Sequence, residues 1–204
     1  MFFISRKEKE MPKTKVQGFI YAFLTVFITV HAFVFYNTYV VEGDQMLAAT
    51  GETSVLAALN TQGGIYMFGH MMPIWSVILV EICFALTAEL LIGNPMSLKI
   101  AFKKFNPEEN LTLFQTTIVF ATVAIMCPIM SFIASIIYYP YFNGFNVITM
   151  LANWFKLVCY NLPFAFFSQL LFIQPFMRKL FKAVFVRNKE ANKSEKFKNA
   201  LAQE

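Results

Sequence analysis

The chain has 204 residues, of which 57% are hydrophobic and 17% aromatic, and only 14% carry charge, with a formal net charge of +5. A soluble domain carries about 25% charged residues, so this composition excludes an ordinary soluble fold and points to a membrane protein. The positive charge does not imply a nucleic-acid partner, because the basic residues stand in blocks at the ends of apolar runs and form no patch on a polar domain.

In chain order, a basic N-terminus over residues 1–15 contains Arg6, Lys7, Lys9, Lys13 and Lys15. The first apolar run covers 18–41. It is too long for a cleaved signal core and is expected to remain as a membrane helix. A loop over 42–70 carries Glu42, Asp44 and Glu52 but neither Lys nor Arg, and a second span is expected over 71–92. Lys99, Lys103 and Lys104 follow it. A third span is expected over 114–139, an uncharged loop over 140–153 and a fourth span over 154–175. Arg178, Lys179 and Lys182 follow, and residues 188–204 form a charged tail. The fold class is therefore all-α: a polytopic membrane protein with four transmembrane helices. The distribution of Lys and Arg places both termini and the central loop in the cytoplasm. Lys156 departs from this pattern and is expected to snorkel to the outer interface. Trp75, Tyr66, Tyr138, Tyr139, Tyr141 and Trp154 are expected to anchor the outer surface.

At an offset of 80 residues the second span falls on the fourth. Pro95 meets Pro175, Phe84 meets Phe164, Ala85 meets Ala165, and Lys99 meets Lys179. Glu81 then meets Asn161 and Glu89 meets Gln169. Spans one and three align through "TVFI" at Thr25–Ile28 and "TVAI" at Thr122–Ile125. The chain reads as two duplicated helical hairpins, residues 16–105 and 106–187, related by an axis along the membrane normal. After each even span, "PMSLKIAFKKF" or "PFMRKLFKAVF" follows a proline that interrupts the helix. Each run is expected to lie on the inner leaflet, where Lys99, Lys103, Lys104, Arg178, Lys179 and Lys182 are candidates for binding lipid headgroups. The alternative is that the helix continues unbroken.

The segment "WFKLVCYNLPFAFFSQLLFIQPFMRKLFK", Trp154 to Lys182, resembles the bacterial two-helix membrane family called domain of unknown function 2798, and "WSVILVEICFALTAELLIGNPMSLKIAFKK", Trp75 to Lys104, looks like a diverged second copy. The resemblance implies a tandem arrangement and a bacterial cytoplasmic membrane. It implies no activity.

Ionisable residues inside spans are costly, about 3 kcal/mol on insertion scales, and are functional candidates for that reason. Glu81 and His31 lie at similar depth and are expected to meet across the first hairpin and share a proton. Glu89, about 12 Å further along the helix, is expected near the cytoplasmic interface, in reach of Lys99, Lys103 or Arg178. Asn161 and Gln169 would add neutral hydrogen bonds from the second copy. Two readings stay open: a proton-coupled site, or a polar brace that titrates nothing. Pro128 and Pro163 either kink their helices or accommodate packing. Cys83, Cys127 and Cys159 lie in apolar runs and support neither a disulfide framework nor a zinc site. The run "MFGHMM" around His70 holds soft ligand types but reads as interface packing, so no metal and no cofactor are expected. No sequence signature of an enzyme is present. The functional expectation is a small proton-coupled transporter of hydrophobic or cationic compounds, working as a homodimer in the lipid bilayer. The alternative is a membrane adaptor whose basic face binds anionic lipid or a partner subunit.

Overall fold

The computed structural model describes residues 15–181 and residue 183. Four helices within it are long and apolar enough to cross a membrane: Val16–Val41, Ile74–Lys104, Thr112–Ile137 and Val147–Leu180. Each alternates in direction with the next, so residues 15 and 181 share one end of the bundle, here the terminal end, and the loops 42–73 and 138–146 share the other, the hairpin end. The four pack as a ring, each against the spans before and after it and the fourth against the first.

Span one is α1 (Lys15–Tyr36) closed by a wide π-turn over Asn37–Val41. Its Val26, Val30 and Val34 recur every fourth residue and pack with Ala85 of span two. Small residues face neighbouring helices throughout: Ala85, Ala88, Ser97, Ala121, Ser131, Ser135, Ala165 and Ser168 are all buried. Without a hydrophobic driving force between helices in lipid, close backbone approach supplies the contact energy. Of the small residues in span three, Ala124 is exposed. The long exposed side chains, among them Phe19, Phe27, Leu79, Phe155 and Phe172, lie on the outside of the ring, as a lipid-facing surface requires.

The loop after span one is folded. Two short helices, α2 (Gly43–Thr50) and α3 (Val55–Gln62), precede a hairpin of β1 (Ile65–Met67) and β2 (His70–Met72). Its two-residue turn, Phe68 and Gly69, has φ of 50° and 84°, the left-handed pair that a tight hairpin favours. Gly64, at φ 126°, could carry no side chain, since a Cβ there would stand 2.0 Å from the carbonyl oxygen of Met72. Phe68 N–H donates to the Ile137 carbonyl at 2.8 Å, and Met67, Val77 and Ile137 bury one another beneath the hairpin. The soft side chains of "MFGHMM" therefore serve as strand and plug: Met67 is fully buried and His70 is exposed.

Span two is α4 (Ile74–Ala88), a π-turn (Glu89–Gly93) and α5 (Asn94–Lys104). Span three is α6 (Leu111–Ile137), and a single 3-10 turn (Tyr141–Asn143) leads on to span four. Span four is α7 (Val147–Ser168), a π-turn (Gln169–Ile173) and α8 (Gln174–Phe181). Neither Pro95 nor Pro175 stops its helix, contrary to the surface-helix expectation. In an α-helix the ring would strike a carbonyl of the preceding turn and leave a hydrogen bond unmade. Here Asn94 N–H reaches back five residues to the Glu89 carbonyl, and Gln174 N–H to that of Gln169. The widened turn makes room for each ring, so α5 and α8 continue as members of the bundle. The helix Ile74–Lys104 runs 31 residues, about 46 Å, and so projects beyond a hydrocarbon core of about 30 Å.

Span four also starts earlier than hydropathy suggested, because Asn146 caps it by accepting from Ile148 N–H at 2.9 Å and Thr149 N–H at 3.2 Å. That shift moves Trp154 inside the helix, where its Nε1–H donates to the Pro128 carbonyl at 3.0 Å. Lys156 reaches Glu42 at 3.4 Å, a half-exposed pair at the hairpin end. Pro128 and Pro163 lie within unbroken helices.

Candidate functional site

The ring of helices surrounds a cavity of about 500 Å³. Its lining on α1 runs from Gly18 to Asn37, about 28 Å of helix and close to the hydrocarbon thickness. The Met67–Val77–Ile137 cluster lies one helical turn beyond Glu81 and Ala134 and seals the hairpin end. Gly18, Leu98, Gln115 and Arg178 line the terminal end.

The lining follows the two sequence offsets. From span two come Glu81, Ala85, Glu89, Asn94 and Leu98; from span four, each 80 positions later, come Asn161, Ala165, Gln169, Gln174 and Arg178. Every lining residue of span one likewise has a lining counterpart 97 positions later in span three, as Thr25 has Thr122 and Thr29 has Met126. The spacing along each even span is four, four, five and four. The step of five crosses the π-turn. In a regular helix a residue five further on lies about 140° round the axis, so Asn94 and Gln174 face the cavity only because that turn is widened.

The two walls differ in chemistry. On the wall of the second hairpin a directed chain of hydrogen bonds ties span four to span one. Tyr21 Oη donates to Gln174 Oε1 at 2.9 Å, Gln174 Nε2 to Gln169 Oε1 at 3.4 Å, Gln169 Nε2 to Thr29 Oγ1 at 2.8 Å, and Thr29 Oγ1 to the Tyr21-side turn at the Thr25 carbonyl, 2.7 Å. The corresponding contact of the first hairpin sets Glu89 beside Met126. Both Glu89 Oε2 and Met126 Sδ lie 2.7 Å from where a Cβ on Gly93 would stand, so the glycine makes space for the carboxylate against span three. Among the described residues Glu89 has no ion pair, and the expected bridge to Lys99, Lys103 or Arg178 does not form. The widened, continuing helix carries Lys99 and Lys103 onward past the cavity, while Arg178 stands across it on the other wall.

Glu81 accepts a hydrogen bond from Tyr138 Oη, at the end of span three. His31 is not its partner. The imidazole Nδ1 donates to the Phe27 carbonyl at 2.7 Å and the ring sits 4.3 Å from that of Phe27, on the outer, aromatic face of α1. The two side chains point to different sides of their helices, Glu81 into the cavity and His31 away from it. Asn161 is 5% exposed, and its Oδ1 has no hydrogen-bond partner.

Of the sequence candidates, Glu81, Glu89, Asn161, Gln169 and Arg178 thus meet in one cavity, and His31 stands apart. Lys99, Lys103, Lys104 and Lys179 are exposed near the terminal end, and Lys182 lies outside the described residues. Tyr138, Tyr21, Gln174 and Thr29 were missed. Tyr138 had been assigned to the interface; Gln174 had a signal, its place 80 residues after Asn94.

Residues 114–185 match the family described as "Domain of unknown function (DUF2798)". The match lies within the second hairpin. No curated protein and no solved structure matches the chain. The matched segment contributes the amide wall of the cavity, and both carboxylates belong to the hairpin that precedes it.

Proposed function

We propose that this chain is a small proton-coupled transporter of the bacterial cytoplasmic membrane, with both termini in the cytoplasm and Glu81 as the carboxylate that holds proton and substrate in turn. The single observation that carries the reading is the cavity running most of the membrane thickness with Glu81 and Glu89 on its wall. A structural brace needs polar groups that bond one another, as Tyr21, Gln174, Gln169 and Thr29 do. A carboxylate facing a space large enough for a small molecule is a different arrangement. Ligand cavities fall in the range of about 300–1,000 Å³, and a carboxylate shielded from water holds either a proton or a cation at lowest cost. Exchange of one for the other couples the two fluxes without a chemical step, so no enzyme activity is assigned.

The two hairpins are proposed to be duplicates, supported by the offsets of the lining residues and by π-turns 80 positions apart. Since the cavity lies within one chain, a homodimer would add stability or a second route and would not complete the site. In proteoliposomes carrying a pH gradient, the wild-type chain should exchange protons for a small organic cation, and Glu81→Gln should reduce the exchange to that of empty vesicles. Exchange by the variant at the wild-type rate would refute the reading.

A second reading, the membrane adaptor, is favoured by one observation: Lys99, Lys103, Lys104 and Lys179 are exposed at the end of the bundle that carries the termini. Vesicles containing anionic lipid would then bind or activate the protein in proportion to those lysines, independently of Glu81.

A further inference from the structure

Resting on the transporter reading, we infer that the hairpin end of the cavity is a seat for a protonated primary amine, held by Glu81, Asn161 and Asn37. The argument is an inventory of donors and acceptors. Asn37 Nδ2 donates to the Phe33 carbonyl at 3.0 Å, which fixes the orientation of its amide and leaves Oδ1 buried without a partner. Asn161 Oδ1 is in the same condition, on a side chain that is 5% exposed. Tyr36 Oη donates to the Tyr160 carbonyl at 3.2 Å, which sets the start of the Asn37 turn level with Asn161. Asn161 in turn is the counterpart of Glu81 across the cavity.

The nearby hydroxyl donors are already engaged. The Tyr138 hydroxyl is given to Glu81, and that of Tyr36 to the Tyr160 carbonyl. What remains is two amide oxygens without a donor and a carboxylate whose donor is the Tyr138 hydroxyl. Buried acceptors without donors are rare, because each costs about 1–3 kcal/mol. A group that brings several N–H donors and a positive charge would satisfy both amide oxygens and balance the charge of the carboxylate. A primary ammonium has three such donors. A quaternary ammonium has the charge and no donor. A hard metal cation takes six or more oxygens, and no cluster of three His, Cys, Asp or Glu side chains suited to a metal is present among the described residues. The acceptors therefore select by N–H count and not by charge alone.

The test uses the full chain in lipid nanodiscs, titrated calorimetrically with n-butylammonium and with n-butyltrimethylammonium against empty nanodiscs. The wild type should bind n-butylammonium saturably and the trimethyl compound about tenfold or more weakly, since a site built on hydrogen bonds rejects the analogue that lacks them. Asn161→Leu should weaken n-butylammonium about tenfold and leave the trimethyl compound unchanged, while Asn161→Asp, which supplies a second carboxylate at the same place, should tighten n-butylammonium. Equal affinity for the two compounds, indifference of n-butylammonium to both Asn161 variants, or no saturable binding would overturn the inference. Proton exchange that depends on Glu81 but ignores N–H count would sink the amine seat and spare the transporter. Selective amine binding without proton exchange would do the reverse.

Discussion

The two hairpins present the same positions to one cavity and fill them differently. Where the first has Glu81, Glu89 and Asn94, the second has Asn161, Gln169 and Gln174. The amides of the second bond to one another and to span one, and so spend their polarity on holding helices together. The carboxylates of the first have few partners: Glu81 has Tyr138, and Glu89 lies against a methionine and a glycine. One wall is a brace and the other is available to a ligand. The bonded amides fit the polar-brace reading, and the proton-coupled site is the proposal for the acidic wall.

The largest effect should come from moving the acid across this divide. Glu81→Asn combined with Asn161→Glu should restore only part of the proton exchange that Glu81→Asn alone abolishes, because position 161 has no counterpart of the Tyr138 hydroxyl: 97 positions before Tyr138 stands Val41. Full recovery in the flux assay would mean that the walls are interchangeable. Next, Tyr138→Phe removes the one hydrogen bond to Glu81 and should lower transport about tenfold with the fold intact, as expected for a bond to a charged group. Circular dichroism and flux measured on the same sample separate the two effects.

Gly93→Ala should act on Glu89 by displacement. Its Cβ would meet Glu89 Oε2 and Met126 Sδ at 2.7 Å, costing about 1–3 kcal/mol of stability by overpacking unless both side chains swing away. A reversible unfolding measurement in lipid gives the cost; the matching position of the brace already holds the buried side chain of Ile173, so the crowding is expected at the acidic wall. The smallest effect is predicted at the brace itself. Gln169→Leu should cost about 0.6 kcal/mol and at most about 2, the usual worth of an interhelical hydrogen bond in a membrane, with proton exchange retained. A larger loss of exchange than of stability would show that the amide wall also serves transport.

The four spans and the pairing of positions 80 apart were legible because both rest on one-dimensional signals, apolar length and repeated identity. Glu81, Glu89, Asn161 and Gln169 were legible for the same reason: polar groups stand out in apolar runs. Partners were not. Depth can be counted from a helix end, yet the direction of a side chain round the axis changes by about 100° per residue, and this separated His31 from Glu81. Tyr138 is 57 positions from Glu81, and a tyrosine at a span end has an ordinary interfacial explanation that hid its role. The hairpin over Ile65–Met72 was hidden because its strands are three residues each, below the length at which alternation shows. The π-turns were hidden by the prolines themselves, which read as helix stops unless the preceding turn widens.

Each of those turns is, in effect, one surplus residue inside a span. Removing a single residue between Glu89 and Gly93 would return the helix to regular winding, with steps of four along the lining throughout, and would leave everything beyond it on the same face. Asn94 and Leu98 would keep their place on the cavity wall, drawn about 1.5 Å closer to Glu89. What would be lost is the room that the widened turn makes for the Pro95 ring, which would then strike a carbonyl of the preceding turn. The surplus residue and the proline are therefore tied to one another: a codon lost here would be tolerated only together with Pro95.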